Sequence, residues 1–176
     1  MRLKANWITE NGAQAILKMF EKAGYKSYFV GGCVRNTILK HPVTDVDIAT
    51  DATPIITMQL AEQTGLKALP TGIDHGTVTL VAQQQPYEVT TFRKDIKTDG
   101  RHAQVQFSKD IVADAKRRDF TMNALYADAN GQVIDPLSGL DDLIKGRIRF
   151  IDEAGTRISE DSLRILRFFR LSAFYA

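Results

Sequence analysis

The spacing of hydrophobic and polar residues switches between two periods along this chain, and each switch marks the end of an element. Near the N-terminus Ala13, Ile16, Leu17, Phe20 and Ala23 recur at helical spacing and Gly24 follows, which predicts an amphipathic helix over residues 10–23. The apolar run Tyr28-Phe29-Val30 reads as a strand; it stops at Gly31-Gly32, and helical character resumes over residues 33–39. After the Lys40-His41-Pro42 break, Asp45-Val46-Asp47-Ile48 alternates with the period of a strand. Thr53-Pro54 has the chemistry of an N-cap followed by the first helical residue, opening a helix to about Gln63 with Gly65 past its end. Residues 66–70 fit a short strand and 71–76 a polar turn. Residues 77–82 and 87–92 then form two strands of a hairpin turned at 83–86.

Periodicity fails over residues 94–107, which carry several charges and are expected to form a mobile loop. Residues 108–116 predict a helix capped by Ser108. A hairpin follows from Asn130-Gly131 to Val133-Ile134, then a short helix over 140–146 and a last strand at 148–150. Ser159 has the character of an N-cap, with Glu160 and Asp161 in the first turn of a helix running to the end. On that helix Leu163, Ile165, Leu166, Phe168, Phe169, Leu171 and Phe174 cover most of the circumference, leaving a stripe of Asp161, Arg164, Arg167 and Arg170. A helix apolar on so many sides expects partners on more than one, so the chain is expected to be the front part of a longer protein. The pattern predicts an α+β fold: a mixed, twisted sheet of about five strands flanked by helices. Residues 1–150 are expected to form its domain, and 151–176 the start of a helical one.

Composition narrows the functional classes. Lys and Arg outnumber Asp and Glu by only 23 to 21, so any basic surface must be local rather than a property of the whole chain. The single cysteine, Cys33, excludes an internal disulfide framework and a cysteine-rich zinc site, and suits small-residue packing in a reducing compartment. The first residues lack the apolar core of a signal peptide and no run approaches a membrane span, so a cytoplasmic protein that does not enter membranes is expected.

Candidate chemistry gathers in four places. Gly31 and Gly32 lack a Cβ, so a phosphate can approach the backbone where a helix begins, and Arg35 lies one turn further on. Same-face residues of a strand are roughly 6.6 Å apart, so Asp45 and Asp47 can converge on divalent cations while Val46 and Ile48 face a core. Glu88, on the second hairpin strand, offers a third carboxylate. Arg118-Asp119 joins fixed donors to an acceptor, which suits a ribose hydroxyl beside a triphosphate; the plain alternative is a helix cap beside a surface cation. Asp161 and Arg164, at i and i+3, are either an intrahelical ion pair or a set of donors and acceptors able to read the Watson–Crick edge of a base.

Gly31-Gly32-Cys33-Val34-Arg35-Asn36 followed by Asp45-Val46-Asp47 resembles the GGxVRD and DxD signature of the class II tRNA nucleotidyltransferase and bacterial poly(A) polymerase family, which are polymerase-β-like nucleotidyltransferases. Asn36 stands where the family commonly has Asp. RRDFTMNA at 117–124 and Glu160-Asp161-Ser162-Leu163-Arg164 resemble two further motifs of that family, the second its EDxxR. The resemblance implies a nucleotidyltransferase head followed by a helical neck, and addition of CCA to tRNA 3′ ends from CTP and ATP. CC-adding, A-adding and poly(A)-adding enzymes share these motifs; a silent nucleotide- or RNA-binding module is the rival of another class. It further implies two Mg²⁺ ions on Asp45 and Asp47 with support from Glu88. The triphosphate would lie on Gly31, Gly32 and Arg35, the ribose on Arg118 and Asp119 with Asn123 behind them. Asp161 and Arg164 would template the base, with Arg167 on the same stripe. The loop carrying Asp99, Gly100 and Arg101 would help select the nucleotide. The implied partners are tRNA, CTP and ATP, with no obligate protein partner.

Overall fold

The computed structural model describes residues 1–99 and 102–175. A first turn of helix, α1 (Asn6–Thr9), leads into α2 (Asn11–Lys22), then β1 (Ser27–Val30), α3 (Gly32–Ile38), β2 (Asp47–Thr50) and α4 (Pro54–Gln63). β3 (Lys67–Gly72), β4 (Thr77–Ala82) and β5 (Gln85–Thr91) follow, then the hairpin β6 (Arg93–Asp99) and β7 (His102–Phe107). The rest comprises α5 (Ile111–Lys116), the short strands β8 (Tyr126–Ala127) and β9 (Val133–Ile134), α6 (Gly139–Ile144), α7 (Ala154–Glu160) and α8 (Leu163–Tyr175).

The fold is α+β, with a mixed sheet of seven strands rather than about five, ordered β3-β4-β5-β2-β1-β8-β9. Only the β2–β5 pair is parallel. Register sets Tyr126 beside Val30, Asp47 beside Glu88, and Glu88 beside Thr79. Because Phe29 pairs with Ile48, the next step in the antiparallel β1–β2 ladder brings Val30 to Asp47. One transverse row of the sheet therefore runs from Thr79 to Tyr126 through both carboxylates, and paired residues point to the same face.

The two faces bury different cores. Phe29, Ile48, Val78, Leu80 and Val89 pack with Ile16, Leu17 and Phe20 of α2, and Trp7 meets Phe29 edge-on at 4.9 Å. Truncating an aromatic in such a layer costs about 3–5 kcal/mol. On the other face Val30, Ala49, Phe92 and Tyr126 cluster with Ala115 of α5 and with Ile151. Cys33 is buried in the first core, and burial pushes its thiol up to about 12, so it stays protonated and packs as a small apolar residue.

Several expected elements shift. Residues 94–107 are not an irregular loop: β6 and β7 pair antiparallel from Arg93↔Phe107 to Asp99↔His102, and the alternation His102-Ala103-Gln104-Val105-Gln106-Phe107 is the signal that was outweighed by charge. Residues 148–150 form no strand beyond a single bridge between Phe150 and Phe120. Asp45 precedes β2 instead of lying in it. The cap of α5 is Asp110, whose carboxylate accepts from the Val112 amide at 2.8 Å, while Ser108 Oγ accepts from the Asp110 amide.

The last helix is two. Glu153 caps α7, and Ser159 lies inside it with its hydroxyl donating to Gly155 O. Asp161 is extended, at φ −153° and ψ 105°, and its carboxylate accepts from Leu163 N to start α8. A residue that bonds its own downstream amide competes with the continuing ladder, which breaks the run there. On α8, Phe168 packs against the Phe120–Phe150 pair, whereas Leu166, Phe169 and Phe174 are 66%, 66% and 69% exposed. Among the described residues no helix is long and apolar enough to cross a membrane.

Candidate active site

Gly31 ends β1 at φ +76° and ψ −122°, a conformation that an L side chain adopts only with strain, and it begins α3. Its amide donates to Leu125 O at 3.0 Å, tying the turn to β8. A Cβ built on Gly31 would lie 3.7 Å from Arg118 Nη1, and one on Gly32 3.7 Å from Arg35 Nη2, so a side chain at either glycine would touch a guanidinium group and take up room beside it. That room belongs to a cleft of about 510 Å³ lined by Gly31, Gly32, Arg35 and Asp47. Arg117, Arg118, Asp119, Asn123, Asp161, Arg164 and Arg167 also line it.

An adjoining cleft of about 380 Å³ holds Asp45, Asp47 and Glu88 together with Thr79. Asp47 is the carboxylate common to both clefts. Burial pushes its carboxyl above the usual carboxylate range; Glu88 and then Asp45 add to that rise, and Arg118 works against it. Burial and two neighbouring carboxylates therefore act on Asp47 in one direction and the Arg118 guanidinium in the other. Thr44 Oγ1 donates to Asp45 Oδ2 at 2.9 Å. Among the described residues no three His, Cys, Asp or Glu side chains form a closed metal cage. An open edge that offers a few carboxylates and no closed cage fits Mg²⁺, which keeps waters and takes substrate phosphates as ligands.

The cationic residues, in contrast, are already engaged. Arg118 Nη2 donates to Asp114 Oδ2 at 3.0 Å and its Nε to Tyr126 Oη at 3.2 Å; Tyr126 in turn donates to Asp114 Oδ2 at 2.7 Å. Asp114 is fully buried; burial alone raises its carboxyl, but Arg118, Arg117 and the Tyr126 hydroxyl together hold it below the usual range. Arg35 donates to Asn36 Oδ1 from Nε at 3.0 Å and from Nη2 at 2.9 Å, to Asn123 Oδ1 at 2.5 Å and to the Tyr175 hydroxyl at 2.9 Å. The Tyr175 ring lies 4.4 Å from its guanidinium carbon. Of five N–H groups, four are thus taken by described residues. Asn36, in the place of the family's Asp, serves as the acceptor that Arg35 and Tyr175 share.

Asp119 accepts from Phe120 N, Asn123 Nδ2 and Arg167 Nε at 2.8, 3.0 and 2.7 Å. Arg164 does not pair with Asp161: its Nη1 donates to Glu160 Oε2 at 2.6 Å and to Arg157 O at 2.8 Å. Arg157 also binds Glu160, and its Nη2 donates to the carbonyls of Arg117 and Arg118, both at 2.6 Å. Asp161 is left with its carboxylate toward the cleft and the Leu163 amide. The helix break therefore separates the two residues that a continuous helix would have joined.

All residues named from sequence fall in the two clefts except those of the 94–107 segment. Asp99 lies in β6, but its side chain, like Gly100 and Arg101 altogether, lies outside the described residues. The supporting residues Asp114, Tyr126, Arg157, Glu160 and Tyr175 were not singled out as such. Asp114, on α5, carries a local signal, lying four residues before Arg118 across the end of that helix; Tyr126 and Tyr175 belong to other elements, β8 and α8, and no such spacing announces them.

Comparison with known proteins agrees with this geometry. The family model for the poly A polymerase head domain matches residues 27–149. A CCA-adding enzyme of Streptococcus pyogenes serotype M1 is 47% identical over 163 residues, 92% of this chain and 40% of that enzyme. The crystal structure of the Bacillus stearothermophilus CCA-adding enzyme in complex with CTP superposes with a TM-score of 0.82 at 41% identity, over 90% of this chain and 38% of that one. A tRNA nucleotidyltransferase complexed with a primer tRNA and an incoming ATP analog superposes at 0.71 with 30% identity, over 89% of this chain and 44% of that one. The chain thus spans less than half the length of these relatives.

Proposed function

The chain belongs to the poly A polymerase head-domain family, and from that premise we propose that it is the catalytic head of an enzyme that adds CCA to tRNA 3′ ends from CTP and ATP. The observation that carries this reading is the shared position of Asp47, at once in the carboxylate edge and in the arginine-lined cleft beside Gly31. Relatives bound to CTP and to primer tRNA support the same partners, and a cytoplasmic setting is part of this reading. Residues 151–176 would open the helical neck, with the exposed apolar residues of α8 directed to its remainder.

In this reading the RNA 3′-oxygen attacks the α-phosphorus of the nucleotide, a new P–O bond forms, and the bond to the bridging β-oxygen breaks to release pyrophosphate. Asp45 and Asp47 would hold two Mg²⁺ ions, with Glu88 sustaining the negative potential beside them. Bound Mg²⁺ lowers the pKa of the attacking hydroxyl and offsets charge on the α-phosphoryl and the leaving group. The chain's own residues position. The Gly31-Gly32 turn receives the triphosphate, with the Gly31 amide spent on Leu125 O; Arg118 and Asp119 receive the ribose, and Asp161 and Arg164 the base edge. Arg35, with four donors committed, braces Asn123 and gives the phosphates its charge and one N–H.

The experiment supplies the full-length protein with tRNAs ending before, within and after CCA, and gives CTP and ATP separately. Two C additions followed by one A support the proposal. Addition of A alone to a CC end names an A-adding enzyme, a long A tail a poly(A) polymerase, and no incorporation a binding module.

A further inference from the structure

Arg118 is the side chain on which both clefts depend: it offsets the charge on Asp47 and faces the glycine turn. A free arginine side chain has many rotamers, and fixing one costs entropy that would otherwise be charged to nucleotide binding. Here the guanidinium is held from behind. Its inner edge, Nε and Nη2, meets the Tyr126 hydroxyl and Asp114, while Nη1 is the nitrogen nearest Gly31. Asp114 and Tyr126 are themselves fully buried, on α5 and β8, and bond each other at 2.7 Å. Tyr126 lies in the sheet row of Val30, one residue before the turn. Neither residue lines the nucleotide cleft.

We propose that Asp114 and Tyr126 are positioning residues that preset Arg118 for the incoming nucleotide, the Tyr126 hydroxyl acting only through Arg118 and Asp114 Oδ2, while Asp114 Oδ1 also accepts from Arg117 Nε. The inference rests on the reading of the cleft as a nucleotide site. Loss of the Tyr126 hydroxyl leaves Arg118 Nε and Asp114 Oδ2 each one partner short and widens the range of the guanidinium. The packing of the ring against Phe92 and Tyr28 remains.

The test measures CTP dissociation constants of the full-length protein, with thermal unfolding as the fold control, for wild type, Tyr126→Phe, Arg118→Met and the double variant. Tyr126→Phe is conservative in shape and removes only the hydroxyl; Asp114→Asn is a second probe that weakens the hold on both Arg118 and Arg117. The expected result is a ~3- to 10-fold weaker affinity for Tyr126→Phe, the scale of one to two internal hydrogen bonds, and no further weakening when it is added to Arg118→Met. Adding it to Arg164→Ala should still weaken binding by the full factor. Equal weakening in the Arg118→Met background would overturn the inference, because the hydroxyl would then act on the fold rather than on Arg118. Wild-type affinity for Tyr126→Phe would overturn it as well, with the cleft assignment intact. Wild type that binds no CTP would overturn both.

Discussion

The acidic and cationic halves of the cleft are built in opposite ways. Asp45, Asp47 and Glu88 come together through sheet register and the approach to β2, and their charges are left largely uncompensated: Asp47 is raised by burial and by its two neighbours. Arg35, Arg118, Arg164 and Arg167 each already hold at least one acceptor on the chain, from Asn36 and Asn123 to Asp114, Glu160 and Asp119. A site that will receive cations can leave like charges waiting, because their repulsion is relieved on binding. A site that must present donors at fixed angles gains by holding them beforehand, since little reorganisation then remains for the ligand to drive. The difference predicts that substitutions on the acidic side will affect turnover without harming the fold, and that those on the cationic side will affect both.

The largest effect is expected on the acidic side. Asp47→Asn should lower nucleotide incorporation by at least ~10³-fold, the scale of losing a principal electrostatic element of an active site. Its unfolding temperature should equal or exceed that of wild type, since a carboxylate held above its usual range is disfavoured as the ion at neutral pH. A clear loss of stability would place Asp47 among structural residues. On the cationic side Arg164→Ala should reduce discrimination between CTP and the pyrimidine competitor UTP by ~10- to 100-fold, the scale of one bidentate base contact, as read from kcat/KM ratios. It should also destabilise, because Glu160 loses one of its two arginine partners. Gly31→Ala should cost about 1–2 kcal/mol through its left-handed φ of +76°; denaturant unfolding checks it.

The smallest effect is in pH dependence. Burial raises the folded Asp114 carboxyl, but Arg118, Arg117 and Tyr126 together hold it below the ordinary aspartate value of 3.8. Its stabilisation is therefore present above that value and lost as pH falls through the lowered folded one. Asp114→Asn should be less stable than wild type at neutral pH and should lose less on acidification below about pH 4. Parallel acid profiles for the two proteins would break this half of the contrast.

How far the chain could be read from its sequence follows the same division. The acidic edge was legible because period-2 alternation and register carry it: Glu88 and Thr90 on one face with Val89 and Thr91 on the other is what β5 shows. The Gly-Gly turn and the Thr53-Pro54 cap are local chemistry and were equally plain. The cationic wall was legible only as a set of residues. Which acceptor each arginine takes depends on contacts such as Arg35 with Tyr175, 140 positions apart, and on the helix break at Asp161 that moves Arg164 to Glu160. The strand pair in 93–107 was missed because Lys94, Asp95, Lys97 and Asp99 masked the period of its second half. At the sheet's other end the Asn130-Gly131 turn signal located β9, whereas β8 is two residues long, too short for a period to register.

The most direct measurement is a crystal structure of the full-length protein soaked with CTP and Mn²⁺ standing in for Mg²⁺, located by its anomalous scattering. The account predicts a peak about 2.0–2.2 Å from carboxylate oxygens of both Asp45 and Asp47, with the triphosphate against Gly31 and Gly32 and the cytosine edge at Asp161 and Arg164. A metal bound away from these carboxylates, or CTP seated in the cavity between Trp7 and Tyr87, would contradict it.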